Sequence, residues 1–244
     1  MKVRGRRECK ECGTRWSYYD TGEVACPSCG SLRSVGVDDE RQQHTDAAVT
    51  LDLSEFRDAV GAREGGVEAA TLDELGPDLK SALRSYVRRR GFIDGGELEL
   101  LDETVLAARE LLHAVDLFGR TRRPSDDEQF YLLSLLRGAD SGERPAPEEV
   151  PESMHAARGL AVAEAVDDYR ADLRTWLAEH PDDEARKTLG AVAERAKRFE
   201  ALQGAVPPAQ ADALVAAVRE VGTYLREGDI DALARARDRL DRLE

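Results

Sequence analysis

Cys9-Lys10-Glu11-Cys12-Gly13 and Cys26-Pro27-Ser28-Cys29-Gly30 are the two stretches that decide how this chain begins to fold. They hold all four cysteines of the 244-residue chain. Two Cys-x-x-Cys pairs separated by a short loop are the spacing of a tetrahedral four-sulfur metal site. The reason is local. Each Cys-x-x-Cys-Gly turn points both sulfurs at one ion and lets backbone N–H groups face their charge. Gly13 and Gly30 suit the positive φ that such a turn needs, and Pro27 stiffens the second turn.

Working outward, Thr14 to Tyr19 is β-prone, Asp20-Thr21-Gly22 offers a turn, and Glu23-Val24-Ala25 leads back to the second cysteine pair. The expected module is a hairpin within residues 1–36, with too little apolar area for its own core. Metal binding must then supply its folding energy, roughly 10–16 kcal/mol for small zinc modules. Three readings of the cysteines compete. A closed structural zinc site fits the spacing, with Cys9, Cys12, Cys26 and Cys29 as ligands. Iron in a rubredoxin-like electron-transfer site uses the same four thiolates. Disulfides are disfavoured in a reducing compartment. A catalytic zinc ion is a poor fit, because four sulfur ligands leave no open position.

The run Asp20-Thr21-Gly22-Glu23-Val24-Ala25 before Cys26-Pro27-Ser28-Cys29-Gly30 resembles the second half of TFIIB-type zinc ribbons. The whole N-terminal stretch is similar to the start of a group of uncharacterised haloarchaeal proteins containing such a ribbon. The resemblance implies zinc on the four cysteines. It does not imply transcription initiation, since the paired cyclin-like repeats of those initiation factors have no counterpart here.

Composition agrees with that resemblance. There are 35 basic and 49 acidic residues, a net charge of −14. Only five of the basic residues are Lys, and Asn is absent. Such Arg- and acid-rich usage resembles proteins of extremely halophilic archaea, where acidic surfaces keep proteins dissolved after salt has screened long-range repulsion. Residues 1–36 run against the trend with a balance of +3, leaving −17 on the remainder. That step marks a boundary near residue 36. No run of about 18 apolar residues is present, and the N-terminus lacks the apolar stretch of a secretory signal. The expected setting is cytoplasmic, away from membranes.

The remainder reads as mainly α, a multi-helix body behind a small β ribbon. Residues 37–53 lack helical periodicity and read as a linker. Residues 54–138 form a helical region. Ser54 can cap a short helix to about Arg63, stopped by Gly65-Gly66. A second helix is expected from Leu72 to Arg90, with Pro77 in or near its first turn. After a connection at residues 95–101, Asp102 caps a helix to Phe118 and Ser125 begins another to Gly138. The Gly/Pro/acid stretch 139–149 reads as a hinge. Residues 150–244 read as an antiparallel helical bundle. Its first helix is expected from Pro151 to His180, with the stripe Met154, Ala157, Ala161, Ala165, Tyr169 and Leu173.

Little chemistry is visible in the helices. Glu110 with His113 and Glu152 with His155 form two Glu-x-x-His pairs, the spacing of di-iron carboxylate bundles. With a rubredoxin-like ribbon this makes a rubrerythrin-like redox protein the alternative function. Against it, the helix at 72–90 has no central Glu, and Glu152 falls in a first turn where acids suit the helix dipole. No phosphate loop or G-x-S-x-G elbow occurs. Arg84 with Arg88-Arg89-Arg90 can meet an anion or simply end a helix in solvent.

A non-enzymatic adaptor or binding protein is therefore expected, docking through residues 1–36. A protein partner leads, with nucleic acid as the alternative. The candidate contacts are Arg4, Arg6, Arg7, Arg15, Trp16 and Tyr18. Aromatic residues beside Arg stack on bases or dock on proteins, and the competing role for them is packing on the helical body. Oligomeric state is not encoded in any visible motif.

Overall fold

The computed structural model describes residues 1–61, 69–121 and 123–243, with backbone alone for 69–73. Two N-terminal strands, β1 (Lys2–Val3) and β2 (Arg6–Cys9), precede β3 (Arg15–Ser17) and the single-turn helix α1 (Tyr18–Thr21). The strands β4 (Ser34–Gly36) and β5 (Gln42–Gln43) follow. The first sheet is three-stranded and antiparallel with β2 in the middle. Arg7 faces Trp16 on one side and Gly36 on the other.

This corrects the expected hairpin. Asp20-Thr21-Gly22 is the end of a helical turn, because the Ser17 side chain caps α1 at the Asp20 N–H and Gly22 closes it at φ 66°. Glu23 to Ala25 consequently form no strand. Side chains hold them instead: Trp16 Nε1–H donates to the Glu23 carbonyl (3.0 Å) and Ser34 Oγ to that of Val24 (2.9 Å). The basic residues Arg6 and Arg7 lie in the central strand of the three-stranded sheet.

Residues 37–53 run extended over the helical body. β5 pairs with β1, and the Met1 ammonium donates to the His44 carbonyl at 2.9 Å. His44, Leu51 and Leu53 are buried. Then come α2 (Ser54–Gly61), α3 (Ala69–Arg89), the strands β6 (Ile93–Asp94) and β7 (Glu97–Leu98), α4 (Glu103–Phe118) and α5 (Asp126–Gly138). Arg63, Gly65 and Gly66 lie outside the described residues. The structure carries α3 back to Ala69, so Pro77 sits inside the helix and not in its first turn. The connection at 95–101 contains a tight hairpin: Gly95 (φ 57°) and Gly96 (φ 95°) occupy the two positive-φ positions that join β6 to β7.

Two of the caps read from sequence appear where expected, whereas Ser54 lies inside the first turn of α2 with its Oγ donating to Asp52 (2.5 Å). Asp102 accepts from the Val105 N–H at 2.8 Å, and Ser125 with Glu128 forms a capping box. Residues 139–149 contain two short 3-10 turns. The long helix is shorter than expected. Residues 152–154 are a 3-10 turn, and α6 runs His155–Leu177, about 35 Å. α7 (Asp183–Ala201), α8 (Pro208–Glu227) and α9 (Ile230–Asp241) complete the chain.

The body, with eight α-helices (α2 to α9) among the described residues, is built around α6, which packs on α4, α7 and α8, while α9 lies on α8 and α3 on α4. Ala157, Ala161 and Ala165 of α6 are fully buried, letting the neighbouring helices approach closely. One apolar cluster extends from Leu51 to Leu243. The ribbon has a separate one of Cys9, Trp16 and Cys26. Among the described residues no helix is long and apolar enough to cross a membrane.

Candidate metal centre

Two copies of the same turn build the centre. In the first, Cys9 N–H donates to the Thr14 carbonyl (2.9 Å) and Gly13 N–H to that of Cys9 (3.0 Å). In the second, Cys26 N–H donates to Ser31 and Gly30 N–H to Cys26, both at 2.9 Å. Gly13 and Gly30 stand at φ 76° and 72°, where a Cβ would be strained. β2 delivers Cys9 directly from the sheet, and the Lys10 N–H to Arg33 carbonyl bond (2.8 Å) pins one turn to the other.

The four sulfurs lie within 4.8 Å of one another. Cys9 and Cys29 are 3.6 Å apart, as are Cys12 and Cys26. A tetrahedral ion with Zn–S bonds of about 2.3 Å requires sulfurs about 3.8 Å apart. The residues present therefore fit one such ion. Cys9 and Cys26 are buried and Cys12 and Cys29 exposed. Among the described residues this is the one group of three or more His, Cys, Asp or Glu side chains close enough to share a metal.

Electrostatics favour a cation here. The Glu11 N–H faces Cys9 Sγ at 3.4 Å. Hydrogen bonds to Thr14 hold the Cys12 thiol down at about 6. Burial opposes ionisation of Cys26, yet N–H groups of Cys29 and Ser28 bring its thiol below the ordinary value. The Ser31 N–H favours ionisation of Cys29, but the crowded sulfurs of Cys12 and Cys9, with burial, push it up to about 12. Four such sulfurs ionise together only around a positive ion. An ion held this way would be closed to substrate, and what it would supply is cohesion of the module.

The other predicted site residues are spread over the ribbon. Trp16 is 9% exposed and turned beneath the sheet. Tyr18 is half-buried with its ring 5.7 Å from that of His44. Arg6 stays in solvent paired with Asp38 (2.5 Å), and Arg15 pairs with Glu8 (2.7 Å). Arg7 is half-buried on Ser34 Oγ (3.0 Å), while Arg4 is exposed. The structure thus uses Trp16 for packing and leaves it little surface to offer a partner.

The two Glu-x-x-His pairs do not meet. Glu110 is fully buried and bonds Tyr131 Oη (2.6 Å), Arg158 Nη2 (2.9 Å) and Arg144 Nη1 (3.1 Å). His113 Nε2 instead lies 3.1 Å from Glu164. Glu152 is exposed in its 3-10 turn. A bundle di-iron centre is therefore replaced by a buried ionic cluster, and Glu110 is not solvated. Arg144, from the 139–149 segment, links Glu110 to Glu103 (3.1 Å) and Asp212 (3.6 Å). Burial raises the Tyr131 hydroxyl far above its ordinary value, reinforced by the Glu110 charge. Burial likewise raises the Asp212 carboxyl. The signal for this cluster was present. Arg158 stands four residues from both Met154 and Val162, and Glu110 four from both Leu106 and Ala114, so each interrupts an apolar stripe.

Fold and site define the class: a four-cysteine module with the geometry to hold one metal ion, joined to a mainly helical body. Residues 1–240 match the model of a family of unknown function, DUF7117, and the chain belongs to that family. The match covers ribbon and helices together, so the two parts form one family unit. No curated protein and no solved structure matches the chain.

Proposed function

We propose that this protein is a non-enzymatic adaptor whose N-terminal module is a structural zinc ribbon of the TFIIB type, docking on a protein partner. The closed four-sulfur shell carries the reading: all four ligand positions are protein sulfurs, so the metal builds a surface rather than a reaction centre. The module also leaves apolar side chains uncovered. Leu32 (76% exposed), Val35, Val37 and Val24 stand in solvent, with Arg4 and Arg6 exposed in β2 and the turn before it. Exposed apolar side chains accompanied by Arg match the composition of a protein-binding face. Nucleic-acid contact has less to draw on, because Arg6, Arg15 and Arg33 each face a carboxylate. The acid-rich, Lys-poor composition fits a haloarchaeal cytoplasm.

The test combines metal analysis with partner capture. Protein purified from its own cells is expected to be colourless with one zinc per chain. A red protein with visible absorbance would replace zinc by iron and the adaptor by a redox role. Crosslinking of the full-length chain should join one specific protein to the ribbon. Leu32→Asp with Val37→Asp should abolish that link at unchanged metal content; an unaltered link sinks the docking face.

A further inference from the structure

A cleft of about 560 Å³ opens where α3, α4 and α6 meet the extended passage at Thr45. That volume lies within the range of small-molecule sites. Its floor is apolar, made by Val87, Phe92 and Leu112, and its walls are charged. The charges are unevenly satisfied. Arg90 is held by Asp46 and Asp102. Arg109, one-tenth exposed, is held by Glu164 (2.7 Å) and Asp168. Asp172 accepts from Thr45 Oγ1 and the Phe92 N–H, both at 2.7 Å.

Arg84 and Arg88 are different. They stand one helical turn apart on α3, both exposed at the cleft, and make no hydrogen bond or ion pair among the described residues. On a chain of net charge −14 with most guanidinium groups paired, these two free ones make the α3 side of the cleft locally positive, opposite Glu164, Asp168 and Asp172 of α6. Residues at this spacing share a helix face, so both planar forks can reach one anion. That is the geometry for a phosphate, which accepts paired N–H groups from each. One further group can meet an occupant. Across the cleft, the half-exposed Asp168 carboxylate, paired on one side with Arg109, can accept from hydroxyl or amino groups.

We propose that this cleft binds a small organic phosphate monoester of about mononucleotide size. Its phosphate sits on Arg84 and Arg88, its less polar part over Val87 and Leu112, and its hydroxyl or amino donors on Asp168. The site lies on the helical body and is independent of the metal centre.

Calorimetric titration of the full-length protein tests this with AMP, glycerol phosphate, inorganic phosphate, adenosine and a short single-stranded oligonucleotide. AMP or glycerol phosphate is expected to bind at least about tenfold more tightly than inorganic phosphate, and adenosine not at all. Arg84→Ala with Arg88→Ala should weaken that binding by about tenfold or more. Both side chains are exposed, so the melting temperature should stay unchanged. Asp168→Asn should weaken the organic phosphates while leaving inorganic phosphate alone. Three results overturn the proposal: neither organic phosphate binds, the double variant binds equally well, or the oligonucleotide binds more tightly than AMP with a steep salt dependence.

Discussion

Arg158 of α6 reaches Glu110 of α4 at 2.9 Å, with 1% and 0% of the two side chains exposed. An ion pair so deep loses nearly all hydration, and only its additional partners make it tolerable. Tyr131 and Arg144 on Glu110, with Asp212 and the Pro145 carbonyl on Arg158, are those partners.

Removing one side should therefore cost more than removing both. Arg158→Met leaves Glu110 buried with reduced compensation and should destabilise the protein by about 3–5 kcal/mol in urea denaturation. Glu110→Met with Arg158→Met should recover part of that loss. A cost below about 1 kcal/mol for the single variant would show that water reaches the pair.

Metal removal should act on one end of the molecule. Cys26→Ser is expected to abolish stoichiometric metal binding and unfold residues 1–36. Helical ellipticity should remain, because the apolar cluster of the body contains no ribbon residue. Elemental analysis with circular dichroism checks both halves of the expectation. Proportional loss of helix would instead mean that the body needs the ribbon to fold.

The joint between ribbon and body should weaken in acid. His44 is 3% exposed. Burial holds its imidazole below the ordinary 6.5, against the opposing pull of Asp94 and Asp46. The unfolded chain then binds the proton first, so stability is full above the ordinary histidine range and declines as pH falls through it. The melting temperature of the native protein should drop between about pH 7 and pH 5. His44→Asn should flatten that part of the curve. Identical slopes in both proteins would remove His44 as the cause.

Tyr19 should prove to be the wedge of that joint. Its ring packs on His44 at 4.8 Å between centroids and lies flat against two glycines. A Cβ on Gly5 would come within 2.0 Å of the ring, and one on Gly95 within 2.9 Å. Gly5→Ala should destabilise by about 1–3 kcal/mol through overpacking. Tyr19→Ala combined with it should cost less than the sum of the two, because the clash is gone. Strict additivity would place the cause elsewhere.

The metal site was legible because its ligands are close in sequence: two turns of five residues carry all four sulfurs and both positive-φ glycines. Helix identity was legible where caps and apolar stripes agree, as at Asp102, Ser125 and the run from Met154 to Leu173. The ends of α6 were not, because residues 152–154 and 178–180 carry no strong breaker apart from the flanking prolines. The partners of the ribbon strands were also hidden. Arg6 to Cys9 is charged at three of its four positions and looks like an arm until Ser34–Gly36 supplies the ladder beside it.

By itself, the sequence determined the four-sulfur module, the mainly helical class and most helix starts, since each depends on residues within a few positions of one another. Tertiary structure alone decided that Glu110 meets Arg158 rather than iron, that Trp16 turns inward, and that Arg84 and Arg88 face a cleft. Those outcomes depend on which helix faces pack together across tens of residues, and charge or aromatic identity does not specify the neighbour that packing will provide.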